Sequence, residues 1–281
     1  MYRELYRFGG MTFALESDAP LERSPVCEAF RVPDGVPDHT ICLRFSDALP
    51  TPPTDALRRD DVFRWQAGAQ RHLLQWVSAP GDIPHFTYAV THGAHTDVIF
   101  ASAYRTGASV STALEAVGLF DVFAARGMLV LHSAYIVTSA GEAILFSGPS
   151  GVGKSTQAAL WERCAGARVV NGDRALVDVG KKTANGIFYA GTSGISENVT
   201  APVRAIVLLG QGSENRVFVP SPQAAFAGVL SQCAYYEWDA RSAEQMTECV
   251  ARLVSDVPVL RMDCLPNATA VEALHDQLGG I

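Results

Sequence analysis

The 281-residue sequence predicts a mixed α/β protein. Three observations lead there. The first hundred residues hold one short strand-like run after another, separated by turn residues. From about residue 128, strand-like and helix-like runs alternate. Between two of these runs lies a glycine-rich stretch, FSGPSGVGKST at 146–156, with apolar Ala143–Phe146 entering it and helix-forming Gln157–Trp161 leaving it.

In chain order, strands are expected at Tyr2–Phe8, Met11–Leu15, Thr40–Phe45, Val62–Gln66, His72–Val77, Phe86–Thr91 and Asp97–Ala101. Turns are expected at Gly9-Gly10, Pro33–Gly35, Pro50–Pro53 and Gly81–Pro84. The reading is a small antiparallel β-rich region over residues 1–105. From Ser109 to Arg126, Val110, Leu114, Val117, Phe120 and Phe123 recur at helical spacing, which predicts a connecting helix within 106–127 that stops at Gly127.

Residues 128–281 form the second block. Strands are expected at Met128–Leu131, Ala134–Thr138, Ala143–Phe146, Arg168–Asn171, Ala175–Val179, Gly186–Tyr189, Ala205–Leu209 and Val257–Arg261. Helices are expected at Lys154–Cys164, Pro222–Cys233, Ser242–Val254 and Thr269–Leu278.

Composition excludes several function classes. A formal charge of -7 argues against a broad surface for nucleic acid or anionic membrane, while leaving room for a local basic pocket. The longest apolar runs, such as Ala205–Leu209, are too short to span a bilayer, and the N-terminus has no long apolar stretch of the export type. A cytoplasmic protein is the expectation. Six scattered cysteines, with neither a C-x-x-C pair nor a histidine at ligand spacing, suggest reduced, mostly buried thiols rather than a zinc site or a disulfide framework.

The glycine-rich stretch carries chemistry. Gly148, Gly153, Lys154 and Ser155 satisfy G-x-x-x-x-G-K-[ST], in which small residues let successive backbone N–H groups curl around phosphate oxygens at a helix N-terminus. The expected contacts are Gly148, Pro149, Ser150, Gly151, Val152, Gly153, Lys154, Ser155 and Thr156. Lys154 would reach the outer phosphates and the Ser155 hydroxyl would ligate Mg2+. The chain has three lysines against nineteen arginines, so a lysine at the place that needs a compact point charge is informative. A glycine-rich turn with an accidental lysine is the other reading.

Phosphoryl chemistry also needs a carboxylate and a base. Arg168–Arg174 reads as an apolar strand ending in Asn-Gly-Asp-Arg, which places Asp173 toward the nucleotide; an ordinary Asn-Gly turn with a solvated aspartate is the alternative. His132 sits amid apolar residues on the approach to the loop, as either a site residue or a hydrogen-bonded core histidine. The 189–198 segment, with its hydroxyls and Glu197, reads equally as an acceptor-side loop or a surface hairpin. Arg204 and Arg216 flank the next strand as phosphate contacts or solvated arginines, and His92 and His95 read as an exposed hairpin turn rather than a metal pair.

His132-Ser133-Ala134, then Gly148–Thr156, then Asn171-Gly172-Asp173-Arg174 together resemble the HPr kinase/phosphorylase and phosphoenolpyruvate carboxykinase-like superfamily, in particular its HPr kinase-related branch of small bacterial serine kinases. The resemblance covers residues 128–281. It implies a P-loop core on a mixed, partly antiparallel sheet, ATP bound by the loop, and Mg2+ held by Ser155 and Asp173. It also implies catalytic roles for Lys154, His132 and Asp173. The family carries two adjacent aspartates where this chain has Gly172-Asp173, which leaves open both the choice of base, Asp173 or His132, and any reverse phosphorylase activity. The family's acidic signature segment is replaced by Gly191–Ile195, so the carbon-regulatory HPr kinase itself is not expected. The implied function is an ATP-dependent kinase acting on a peptide, protein or small-molecule hydroxyl, with serine in a peptide or protein first. A metabolite kinase and a silent nucleotide-binding regulatory module are the alternatives, and a homo-oligomer is compatible with the resemblance.

Overall fold

The computed structural model describes residues 1–48, 50–77 and 85–279; the turn expected at Gly81–Pro84 lies outside them. The chain is mixed α/β and divides into two compact units, Met1–Leu119 and Phe120–Ile281.

The first unit contains β1 (Tyr2–Phe8), β2 (Met11–Ser17), α1 (Pro25–Glu28), β3 (Arg31–Val32), β4 (His39–Phe45), β5 (Leu57–Arg59), β6 (Val62–Ala67), β7 (Gln70–Val77), β8 (His85–His92), β9 (His95–Phe100) and α2 (Val110–Ala116). One sheet runs β3-β1-β2-β4-β9-β8-β7-β6-β5. Pairing toward both edges is antiparallel, but β4 pairs in parallel with both β2 and β9, so the expected antiparallel region is a mixed sheet. The cause is connection length. The 18–38 segment is long enough to return β4 in the direction of β2, and the β5–β8 meander does the same for β9.

The single helix expected across 106–127 is two helices. Ser109 caps α2 by accepting from the Thr112 N–H, and Gly118, with φ of 64°, takes the left-handed turn that ends it. The second piece is α3 (Leu119–Ala124), and the two units divide at its start.

The second unit continues with β10 (Met128–Val137), β11 (Ala143–Ser147), α4 (Lys154–Ala165), β12 (Arg168–Asn171), β13 (Arg174–Asp178), β14 (Thr183–Asn185), β15 (Thr200–Gln211), β16 (Arg216–Phe218), α5 (Pro222–Leu230), α6 (Ala240–Asp256), β17 (Val259–Cys264) and α7 (Ala268–Gly279). β10 is one strand where two were expected, because Ser133 is fully buried and stays in the ladder opposite Ser147. β10, β13, β14, β15 and β11 pair in a closed ring, a five-stranded barrel from which β15 extends to β17 and β16. β11, β15 and β17 are parallel and β10 is antiparallel to β11.

Alternation builds two cores. Leu145 on β11 and Ile206 on β15 pack with Met246, Val250 and Leu253 of α6. Their neighbours Ile144, Phe146 and Val207 face the other way, onto Trp161 of α4 and Val271 and Leu274 of α7. The expected strand at Gly186–Tyr189 is a loop. All six cysteines are unpaired; Cys27 and Cys249 are buried and Cys164 is exposed. Among the described residues, no helix is long and apolar enough to cross a membrane.

Candidate functional site

The glycine-rich loop leaves the buried end of β11 and enters α4. Gly148 has φ of 149°, and a side-chain carbon there would lie 3.3 Å from the Leu209 carbonyl oxygen of β15, so this close approach of loop to strand needs glycine. Gly153 begins the helix in the left-handed conformation, and no side chain caps it. An uncapped helix start presents free N–H groups and the positive end of the helix dipole, the arrangement that suits an anion. Lys154 is 7% exposed, and its Nζ donates to the carbonyls of Gly148 at 2.9 Å and Pro149 at 3.1 Å. Burial pushes its pKa down, partly offset by the Asp173 carboxylate. Pro149, Ser150, Ser155 and Thr156 are exposed along the rim, and Val152 is half-buried against the α4 core. These residues fit a phosphate group, and the Ser155 hydroxyl is accessible to a metal ion.

β10 and β13 bring the other two residues together. His132 pairs with Arg174 across these strands, and the Ser133 N–H donates to the Asp173 carbonyl at 2.9 Å. His132 Nε2 thereby lies 3.5 Å from Asp173 Oδ1, while Arg174 Nε lies 3.2 Å from Asp173 Oδ2. The Arg174 guanidinium also sits 5.2 Å over the Tyr189 ring. The Ser147 hydroxyl donates to the His132 carbonyl at 2.8 Å, which ties the strand carrying the histidine to the last residue of β11. Burial, then the Lys154 charge, holds the His132 pKa below its ordinary value, with Asp173 acting in the opposite direction. The imidazole is neutral at neutral pH and can accept a proton.

Asn171 organises this corner; in sequence it is only the last residue of an expected strand and the first of the Asn-Gly-Asp-Arg stretch. It is fully buried, and its Oδ1 accepts from the Asp173 and Arg174 N–H groups, both at 2.9 Å. Its Nδ2 donates to the carbonyls of Ile187 at 3.0 Å and Tyr189 at 2.8 Å. Those carbonyls are satisfied by a side chain instead of a ladder, so Gly186–Tyr189 forms no strand. The 189–198 segment then folds over the aspartate turn. A side-chain carbon on Gly172 would fall 2.3 Å from Ser193 Oγ and 2.7 Å from its Cβ, so any larger residue here requires the Ser193 side chain to move. Glu197 ion-pairs with Arg168 at 2.6 Å. Arg204 donates to the Leu278 carbonyl and Arg216 lies over Phe218, so neither joins His132, Lys154 and Asp173.

No protein-family model matches the chain, and comparison with curated proteins likewise gives no match.

The depressed His132 pKa gives a test of the site's electrostatics. Above the ordinary histidine value of about 6.5, folded and unfolded states both hold the ring neutral; as pH falls below it the unfolded chain takes up a proton that the folded site resists. His132 therefore subtracts stability on the acid side. Denaturant titrations at pH 7.5 and pH 5.5 are expected to show the second unit of the parent losing more stability than that of His132→Gln. Equal losses would contradict the electrostatic account.

Proposed function

We propose that the chain is an ATP-dependent phosphotransferase that moves the γ-phosphoryl group onto a hydroxyl, with serine of a peptide or protein as the acceptor class. The observation that supports this most directly is the nearness of buried Lys154, at the start of the uncapped helix, to the His132–Asp173 pair, close enough for its charge to act on His132 and for Asp173 to act on it. We read β11, the loop and α4 as the P-loop core of an HPr kinase-like fold.

In this reading the loop N–H groups and Lys154 neutralise the phosphates, and Lys154 exchanges its two loop carbonyls for phosphate oxygens. Mg2+ held by Ser155 and Asp173 would supply further charge neutralisation on the transferred group. Arg174, already beside Asp173, keeps the carboxylate oriented. The acceptor oxygen forms the new O–P bond as the bond to the departing ADP breaks, and the hydroxyl proton passes to Asp173 or to the neutral His132 beside it.

Gly172, standing where the resembling family carries an aspartate, supports a second reading, a module that binds nucleotide without transferring phosphate. One experiment separates the two. The parent chain, incubated with ATP, Mg2+ and a serine-peptide pool, is expected to yield peptides heavier by one phosphoryl group, and Lys154→Ala is expected to yield none. Label appearing only on small metabolites would replace the acceptor class. Tight ATP binding without any product would favour the silent module, and undiminished turnover by Lys154→Ala would sink the kinase reading.

A further inference from the structure

Register in the first unit places four ligand-type side chains on one face. Glu16 of β2 is paired with Cys42 of β4, and Cys42 with Asp97 of β9. Residues directly opposite in a sheet share a face, and His95, two positions before Asp97 on β9, shares it as well. Ligand atoms of Cys42, His95 and Asp97 all lie within 4.8 Å of one another. Glu16 Oε2 is 3.5 Å from Cys42 Sγ, and His95 Nε2 is 3.5 Å from Asp97 Oδ1.

We propose that Cys42, His95 and Asp97, with Glu16 as fourth donor, form a binding site for a zinc-type divalent cation. Donors bound tetrahedrally to zinc at their usual distances stand about 3.5 Å apart, so the three need to close by only roughly 1 Å. The set is one sulfur, one nitrogen and two oxygens. A thiolate and an imidazole select zinc over Mg2+, which separates this site in chemistry from Ser155 and Asp173. Two arginines compete for its carboxylates: Arg44 lies 3.6 Å from Asp97 and Arg3 lies 3.2 Å from Glu16. Both arginines are exposed and both carboxylates at least partly so, and pairs of this kind contribute little, so a divalent ion can displace them. His95 and Asp97 are each 46% exposed in their side chains, so the ion has an open approach. A bound ion would tie together β2, β4 and β9, the strands whose parallel adjacency depends on long connections.

Titration of the metal-free full chain with Co2+ tests the proposal. One equivalent is expected to give the near-ultraviolet thiolate-to-cobalt band and the visible bands of a tetrahedral ion, both removed by added Zn2+. Cys42→Ser should abolish the thiolate band, His95→Ala and Asp97→Asn should each weaken Co2+ binding at least about 10-fold, and Cys164→Ser, at an exposed thiol, should leave the band intact. Circular dichroism of each variant establishes that it folds; should Cys42→Ser fail to fold, the two substitutions on β9 decide. Absence of a thiolate band at stoichiometric Co2+, its persistence in folded Cys42→Ser, or unchanged affinity in both β9 variants would overturn the site. An all-oxygen site at Ser155 and Asp173 gives no thiolate band, so the outcome is independent of the kinase reading.

Discussion

Asp173→Asn is expected to lower the rate of phosphoryl transfer by about 10³-fold while leaving the affinity for ATP within a few-fold of the parent. The substitution keeps the size of the side chain and removes its charge. It therefore removes the proposed proton acceptor or its partner, and the proposed metal contact, without touching the loop proposed to grip phosphate. The backbone is unaffected, because the bond from the Ser133 N–H goes to the Asp173 carbonyl and not to the carboxylate. Calorimetric titration of ATP with Mg2+ and initial rates on an acceptor peptide with a free serine hydroxyl give the two quantities separately. A variant within about 10-fold of the parent rate would remove Asp173 from the chemistry. Loss of ATP affinity in parallel with rate would make it a binding residue instead. His132→Gln distinguishes the two proton routes: if the imidazole takes the proton, its removal costs as much as loss of the carboxylate and abolishes the acid limb of the rate profile.

The sequence carried the local pattern well and the long-range adjacency poorly, and the difference has a physical origin. The apolar run before Gly148 and the helix after Lys154 are set by residues within a few positions of one another, and β11 and α4 fall where the pattern puts them. The same holds for β1, β4, β6 and β8, whose alternation is local. Two- and three-residue strands such as β3, β5, β14 and β16 exist only through their partners, and nothing in so short a stretch signals them. Parallel placement of β4 between β2 and β9 is likewise a property of the sheet, and so is the meeting of Cys42 with His95 and Asp97. The loop stands out by its own G-x-x-x-x-G-K-[ST] pattern, and His132 and Asp173 gain weight as candidates from a spacing resemblance. Their meeting rests on Asn171 and Ser147, whose polar side chains look in sequence like ordinary turn and strand-end residues.

Asn171 accordingly carries the largest structural prediction. Replacing it with alanine leaves the half-buried N–H groups of Asp173 and Arg174 without their acceptor and the half-buried Tyr189 carbonyl without its donor. A buried polar group left unpaired costs about 1–3 kcal/mol. Ile187 still receives the Ser196 hydroxyl, and water entering the vacated space would offset part of the loss, so a net destabilisation of about 3 kcal/mol is expected for Asn171→Ala. In a unit of this size that lowers the unfolding midpoint by about 9 °C. Asn171→Asp is the sharper comparison: it retains an acceptor for the two N–H groups but turns carboxylate oxygens toward the carbonyls of Ile187 and Tyr189. It should therefore be at least as destabilising as alanine near neutral pH and should recover as pH falls and the carboxyl gains a proton to donate. Thermal unfolding of the three chains at two pH values reads this directly. An alanine variant within about 0.5 kcal/mol of the parent would mean that this asparagine does not hold the aspartate turn, since only substitutions away from such features are so mild. The geometry of the whole corner, from Ser193 over Gly172 to Arg174 beside Asp173, would then need another anchor.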